Sequence, residues 1–439
     1  MKNTIVAKFG GSSLADSLQF NKVKAIVLGD ERRKYIIPSA PGKRNKGDQK
    51  ITDLLYLCQA HVQHNIAFND VFNVIENRFL QLVEELDVTI DIKKYLEEIK
   101  INIARGASAD YTASRGEYLN GLILSDFLHY EFVDPAEIIF FKKNGIFDEE
   151  RTQKAVSERL LKIDKAVIPG FYGSMPNGNI KTFSRGGSDI TGSIIARGVN
   201  ADLYENWTDV SGFLMADPRI VENPKSIKKI TYRELRELSY MGATVLHEEA
   251  IFPVKREGIP INIKNTNSPD DEGTFIINDL ELLNDMGTIT GVAGKKDFTV
   301  ITIEKNMMNI EQGYCRKVLS ILEENSVSFE HMPSGVDTVS LVVAQSQLQD
   351  KLEKILKEIE MKCNPDNIEI HPDMALVAIV GRGMLRSIGT SARIFDALAK
   401  NDINVRMISQ GSSEINIIVG VENKDFENAI RAIYNAFSK

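Results

Sequence analysis

Two short stretches, Lys8-Phe9-Gly10-Gly11-Ser12-Ser13 and Ser184-Arg185-Gly186-Gly187-Ser188-Asp189, hold the residue types from which phosphate sites are made. Each follows a β-rich run, over 5–9 and 181–183, and each opens a helical stretch, near Asp16 and over 190–197. Paired glycines let a backbone approach an anion closely, and N–H groups at a helix N-terminus favour negative charge. Lys8 adds a cation at the strand end, Arg185 a guanidinium suited to a carboxylate, and Asp189 a carboxylate beside the second loop. Plainer readings stand beside these: a structural turn for the first stretch, and a helix start capped by Ser188 or Asp189 for the second. Two such turns in one parallel-sheet domain would share the carboxyl edge of the sheet, where ligands bind. The pair therefore says more than either turn alone.

Further groups are more ambiguous. Ser114-Arg115-Gly116-Glu117 falls in a helical pattern, where an acidic residue ordinarily belongs to a solvated face. Trp207-Thr208-Asp209-Val210-Ser211-Gly212, then Ala216-Asp217-Pro218-Arg219, forms a polar turn that serves as a plain loop or as one edge of a nucleotide site. No G-x-x-x-x-G-K-[ST] occurs, so this is not a P-loop protein. His247-Glu248-Glu249-Ala250-Ile251 lacks the second histidine of a zinc protease helix, and His61 with His64 reads as structural, as do Met307 and Met308. In Gly381-Arg382-Gly383-Met384-Leu385-Arg386 an arginine replaces the third glycine of a dinucleotide fingerprint, which excludes NAD.

The elements that must position these groups alternate. Strand candidates at 5–9, 35–39, 136–141, 166–169, 181–183, 203–207 and 260–264 are interleaved with helical stretches over 16–29, 51–64 and 67–129, which predicts an α/β domain with a largely parallel sheet. In 67–129, Val71, Val74, Ile75, Leu82 and Leu86 recur at helical spacing. The chain has 439 residues, of which 43% are hydrophobic and 26% charged, enough for a sizeable core and for more than one domain. Its 53 basic and 61 acidic residues leave a net charge of −8, which argues against nucleic acid or an anionic membrane as the main partner. Cys58, Cys315 and Cys363 have neither disulfide nor zinc spacing, and no apolar run approaches the roughly 18 residues of a membrane span. A cytoplasmic protein without a signal segment is expected.

After about residue 285 the texture changes and the chain repeats itself. Residues 317–344 align without a gap on 393–420: Leu322 falls on Leu398, Asn325 on Asn401, Gly335 on Gly411 and Val343 on Val419. Each copy reads as strand, helix, strand, hairpin strand, helix, strand, with first strands at 298–303 and 376–380. That is the ferredoxin-like βαββαβ order in units of about 70 residues.

Taken together, these motifs resemble the aspartokinases, members of the amino-acid kinase superfamily with tandem ACT regulatory domains. The resemblance rests on KFGGSS at 8–13, SRGE at 114–117, FSRGGSD at 183–189, WTDVSGFLMADPR at 207–219 and IKNTNSP at 263–269. It implies a catalytic domain over 1–285, with helices on both faces of a mainly parallel sheet, and ACT units over 286–365 and 366–439. It also implies transfer of phosphate from MgATP to the side-chain carboxylate of L-aspartate, the first step towards lysine, threonine and methionine. In that frame Lys8 bridges the leaving and transferring phosphates, and Asp189 holds Lys8 in place. Substrate would meet Arg185, Glu117, Ser39 and Thr52, with Gly186, Gly187 and Ser188 beside them. The nucleotide would meet Gly10, Gly11, Ser12, Ser13, Thr208, Asp209, Arg219, Lys264 and Asn265. Mg2+ would ride on the phosphates, with no protein ligand assigned.

An amino-acid effector, lysine by charge, would meet the loop from Met308 to Gly313 and the carboxylate of Glu330. Paired ACT sheets imply at least a dimer. The second ACT unit reaches the end of the sequence, so a monofunctional enzyme is expected. Ser12 stands where most members have threonine, and the basic segment 42–50 reads as a solvated loop or as a lid over the phosphates. A glutamate kinase and a non-catalytic amino-acid sensor are the competing expectations.

Overall fold

The computed structural model describes residues 4–184, 186–242, 252–278 and 287–438. They gather into two compact units that interleave along the chain: residues 4–213, 226–232 and 252–278, and residues 214–225, 233–242 and 287–438.

In chain order the strands of the first part are β1 (Ile5–Phe9), β2 (Arg33–Pro38), β3 (Glu131–Phe132), β4 (Ala166–Val167), β5 (Tyr172–Ser174), β6 (Ile180–Thr182), β7 (Leu203–Thr208), β8 (Phe213–Leu214), β9 (Ser226–Ile227), β10 (Lys229–Thr231), β11 (Ile261–Asn265) and β12 (Thr274–Ile277). Eight of them form one sheet in the order β10-β12-β11-β7-β1-β2-β4-β3, in which only the β11–β12 pair is antiparallel. All five residues of β1 are buried, as a strand covered on both faces requires. Lys8 is the one polar side chain in that run.

The helices are α1 (Ser17–Leu28), α2 (Ile51–Gln63), α3 (Asn69–Leu86), α4 (Ile92–Ala104), α5 (Ala109–Leu128), α6 (Glu149–Leu160), α7 (Gly187–Gly198), α8 (Tyr232–Tyr240) and α9 (Phe252–Glu257). On α3 the buried stripe is Phe72, Ile75, Phe79, Leu82 and Leu86, while Val74 turns outward. Each such side chain stabilises the packing by about 1.5–3 kcal/mol.

Two strand expectations change. Residues 136–141 do not form a strand: Asp134 caps a 3-10 turn at Pro135–Glu137 by accepting from Ala136 N at 2.9 Å, and Pro135 has no N–H to give a ladder. The stretch 181–183 contributes to β6, which pairs antiparallel with β5 in a separate hairpin rather than joining the main sheet.

The second unit contains a five-stranded antiparallel sheet of β13 (Gly291–Glu304), β14 (Thr338–Ala344), β15 (Asn367–Val380), β16 (Met407–Ser409) and β17 (Asn416–Glu422), in the order β14-β13-β15-β17-β16. Its helices are α8 from Arg233 onward, α10 (Tyr314–Glu324), α11 (Gln345–Leu348), α12 (Leu352–Cys363), α13 (Thr390–Ala399) and α14 (Phe426–Phe437). The duplication is visible in the backbone. Gly313 and Gly389 open α10 and α13 at φ +78° and +85°, and Asn325 and Asn401 each bond the carbonyl four residues back at 2.8 Å.

One feature was not expected: the second copy's last strand is supplied from upstream of both copies. The first half of β13, residues 291–295, pairs with residues 376–380, and the second half serves the first copy. Accordingly Val292 packs in the second copy's core with Val377, Val419 and Phe426, whereas Ile301 and Ile303 pack in the first copy's core with Val318 and Ile355. The C-terminal unit also recruits residues 214–225, because Met215, Ala216, Ile220 and Val221 bury their apolar side chains in the second copy's core.

Candidate active site

Parallel pairing decides which side chains meet. β1 lies between β2 and β7, and its register sets Lys8 opposite Asn206. Lys8 Nζ reaches Asn206 Oδ1 at 3.3 Å and Asp189 Oδ1, in the first turn of α7, at 2.5 Å. Asn206 Nδ2 donates to the same Asp189 oxygen at 2.9 Å, closing a nearly buried triangle, and Tyr204 Oη donates to the Asp189 carbonyl at 3.1 Å. Asn206 escaped the sequence reading; the signal for it is a second polar residue, beside Glu205, in the middle of a buried strand. Asp189 does not cap α7. The N-cap is Gly186 at φ +59°, a conformation that favours glycine, so the carboxylate is free to face Lys8.

The first glycine loop folds over the strand ends. Gly10 N donates to Trp207 O at 2.9 Å, and Ser13 Oγ pairs with Thr266 Oγ1 at 2.8 Å. A Cβ on Gly10 would lie 3.7 Å from Lys8 Nζ, so the ammonium sits against this loop. Gly11 and Gly42 pack backbone on backbone: a Cβ on Gly42 would fall 2.6 Å from the Gly11 carbonyl carbon. Ser12 is exposed, and Asp16 caps α1 by accepting from Gln19 N at 2.9 Å. The 42–50 segment is tied down. Asp48 pairs with Arg44 at 2.9 Å, and the buried Arg78 donates to Gln49 O at 2.8 Å, to Ala15 O at 3.4 Å and to Gly42 O.

Beyond the end of β2, Ser39 N donates to Phe9 O at 3.0 Å, and the Ser39 carbonyl accepts from Asn120 Nδ2 at 2.6 Å. Glu117 lies one helical turn before Asn120 on α5 and is buried rather than solvated. Burial pushes its carboxyl up to about 8, against a backbone hydrogen bond from Ala40 that pulls it down. Among the described residues Glu117 Oε2 and Asn120 Oδ1 are both buried without a donor, a pair of acceptors that an ammonium would satisfy. Asn120 was also missed, although its i+3 spacing from Glu117 marks the same helix face. Thr52, half-buried in the first turn of α2, follows Ile51, whose side chain packs on Gly116 of α5. Ser188 packs on Gly170, and Gly187 on Phe171. Arg185 lies outside the described residues.

At the ends of β7 and β11 the register sets Lys264 beside Trp207 and Asn265 beside Thr208. Lys264 Nζ stands 5.2 Å from the Trp207 ring, Asn265 Nδ2 donates to Ser211 Oγ at 3.0 Å, and Thr208 Oγ1 donates to Asp209 Oδ1 at 3.2 Å. Trp207 itself is core: it is 1% exposed, stacks on Phe9 and donates to Glu205 at 2.8 Å, so it offers no face to a ligand.

These strand ends, two glycine turns and a buried lysine–aspartate pair fall within a match to the amino acid kinase family over residues 3–265, and residues 377–437 match an ACT domain. Aspartokinase 3 of Bacillus subtilis is 38% identical over 98% of both chains. The chain belongs to the aspartokinases. The crystal structure of Clostridium acetobutylicum aspartate kinase superposes with a TM-score of 0.95 at 66% identity, covering 99% of this chain and 100% of that one. Escherichia coli aspartokinase III, 24% identical over 99–100% of this chain and 100% of its own, shares the fold with TM-scores of 0.73 in complex with aspartate and ADP and 0.74 with lysine and aspartate.

In this aspartokinase the remaining expected positions lie in the second unit. Arg219 is exposed, with its guanidinium clasped by Asp217 at 2.6 and 3.0 Å. Met308 is buried in the turn before α10, and Gly313 caps that helix. The Glu330 carboxylate accepts a hydrogen bond from Tyr240 Oη, and Lys295 Nζ lies 4.9 Å over the Tyr240 ring.

Proposed function

We propose that this kinase transfers the γ-phosphoryl group of ATP to the side-chain carboxylate of L-aspartate, giving 4-phospho-L-aspartate and ADP. The observation that carries the reading is the Lys8–Asp189–Asn206 triangle against the Gly10 loop, with the buried acceptors of Glu117 and Asn120 nearby on α5. Related enzymes support it: the E. coli enzyme crystallises with aspartate and ADP.

In the proposed step a carboxylate oxygen of aspartate bonds to the γ-phosphorus, the bond from that phosphorus to the bridging oxygen breaks, and the electron pair leaves with ADP. The nucleophile is already ionised near neutral pH, so no base is needed. Catalysis then comes from positioning and from fixed positive charge. Lys8 stands to neutralise the charge growing on the bridging oxygen, and Asp189 and Asn206 hold its ammonium there. Glu117 and Asn120 would take the substrate ammonium, Arg185 its α-carboxylate, and Ser39, Thr52 and the Gly186–Gly187–Ser188 turn the rest. The Gly10–Gly11–Ser12–Ser13 loop, Thr208, Asp209, Lys264 and Asn265 would receive the nucleotide, with Arg219 assigned by resemblance.

Among the described residues no three His, Cys, Asp or Glu side chains gather. Asp189 is committed to Lys8, so the donor set fits a Mg2+ that arrives on the nucleotide. The same reading makes the protein a cytoplasmic enzyme, at least a dimer through its ACT units over 286–365 and 366–439. It acts at the first step towards lysine, threonine and methionine and is inhibited by lysine at Met308, Gly313 and Glu330. Acyl-phosphate trapping with hydroxylamine, using aspartate, glutamate and N-acetylglutamate with and without lysine, tests it. Turnover of aspartate alone, suppressed by lysine, is the expected result; turnover of another carboxylate, or of none, overturns it.

A further inference from the structure

We infer that a cleft at the N-terminal end of α5 binds a small molecule bearing two acidic groups, one on Arg115 and the other on Arg105. The cleft has a volume of 710 Å³ and is walled by Asn102, Arg105, Ser108, Tyr111, Arg115 and Asn179. Arg115 is 6% exposed yet reaches it. Nε and Nη2 both donate to Ser114 Oγ, at 3.1 and 2.9 Å, and the guanidinium lies 4.5, 4.5 and 5.1 Å from the rings of Tyr111, Tyr118 and Tyr172. This cage fixes the group's orientation and leaves Nη1 without a hydrogen-bond partner among the described residues.

Neither Arg115 nor Arg105 makes an ion pair among the described residues, whereas the neighbouring Asp110 is already engaged by Lys181 at 3.0 Å and by Thr182. A buried cation left without a counter-ion is unfavourable, and a planar guanidinium fork is suited to a carboxylate or a phosphate. Asn102 Nδ2 donates to Tyr111 Oη at 2.8 Å, which holds that ring in the wall. Gly106 and Gly178 have open space where a Cβ would stand, so the mouth is clear. Arg115 and Glu117 are two residues apart on one helix, about 200° around its axis, so the cleft opens on another face of α5 than the Glu117 acceptors, although the Arg115 charge still acts to lower the Glu117 carboxyl. The inference does not depend on the chemistry of phosphoryl transfer.

Thermal unfolding midpoints of the full chain test it, with succinate and inorganic pyrophosphate as probes at saturating MgADP and aspartate. At least one probe is expected to raise the midpoint of the wild type and of K8M, with about tenfold weaker apparent affinity in R105A and none in R115M. Succinate alone would identify a dicarboxylate site, and pyrophosphate alone a site for phosphate groups. If R115M does not fold, R115K, which keeps the charge and loses the fork, takes its place beside R105A. No shift with either probe in the wild type, or equal shifts in the wild type, R105A and the Arg115 variant, overturns the inference. A response lost only in K8M would assign the binding to the glycine loops instead.

Discussion

Lys8 and Asp189, distant in sequence, meet at 2.5 Å where the end of β1 faces the first turn of α7, and Asn206 bonds both. The aspartate oxygen that holds the ammonium is thus itself held, which supports the proposed role of Asp189 in orienting Lys8. K8M is expected to lower kcat by about 10²–10³-fold, the loss seen when one fixed charge-stabilising donor is removed. D189N and N206A keep the lysine and loosen it; steady-state kinetics should show smaller kcat losses in both, with KM for aspartate little changed. Because each single change strands a partner in a nearly buried pair, K8M and D189N should each lose up to about 3–5 kcal/mol of stability, and the double variant less than their sum. Denaturant titration of the cycle measures this; full additivity would count against a coupled pair.

Glu117 sets a pH dependence with a definite sign. Burial raises its carboxyl to about 8, so in the ligand-free fold it is mostly protonated at neutral pH, although it ionises near 4.5 when unfolded. Between those values the unfolded chain has released a proton that the folded chain keeps, so this group's contribution to stability falls as pH rises from about 4.5 to 8. Binding an ammonium requires the ionised form. KM for aspartate should therefore fall as pH rises from 6 to 8 and level off above, with close to one proton released per aspartate bound at pH 7, readable by calorimetry in buffers of different ionisation enthalpy. E117Q should abolish the proton release and raise KM by at least tenfold; a flat profile in the wild type would remove Glu117 from the ammonium site.

Arg78 couples the two loops. From α3 it donates to the carbonyl that closes the turn after the first glycine pair (Ala15) and to carbonyls of the basic segment (Gly42, Gln49), and it lies 3.4 Å from Asp48. R78M would leave those acceptors and a half-paired carboxylate without their cation, a loss of several kcal/mol. Hydrogen exchange over 42–50 should accelerate, and KM for ATP should rise more than kcat falls, with partial recovery in R78K. Unchanged exchange there would show that the loop is held by Arg44 and Asp48 alone.

How much of this was legible varies with the physics involved. The strands and glycine turns of the first unit could be read because apolar runs and paired glycines are local signals, and so could the repeat, because it is a comparison of the chain with itself. Asn206 and Asn120 could not, since each matters through a partner fixed only by strand register or by helix packing. The origin of the second copy's last strand was equally hidden: the sequence places the first copy's opening strand at 298–303, and only pairing shows that 291–295 run ahead of it and serve the other copy. Within the polar turn at 207–219, the packing of Met215 and Ala216 in the second copy's core was not legible either, because the residues they meet lie far along the chain.

The effector reading turns on Glu330, whose carboxylate already accepts a hydrogen bond from the Tyr240 hydroxyl, and that bond together with burial pushes the phenol up to about 12. Tyr240 and a ligand ammonium would compete for the same oxygens, and a hydrogen bond to a charged group is worth about 1.5–3 kcal/mol. E330Q removes the charge that attracts the ammonium, so half-inhibition should need at least tenfold more lysine at unchanged uninhibited kcat. Y240F removes the competitor, and half-inhibition should move to several-fold lower lysine. The opposite signs separate a ligand contact from a merely structural link, because a link would weaken inhibition in both variants. Inhibition curves for the two, measured at the same aspartate concentration, decide it, and an unchanged curve in E330Q would remove Glu330 from the site.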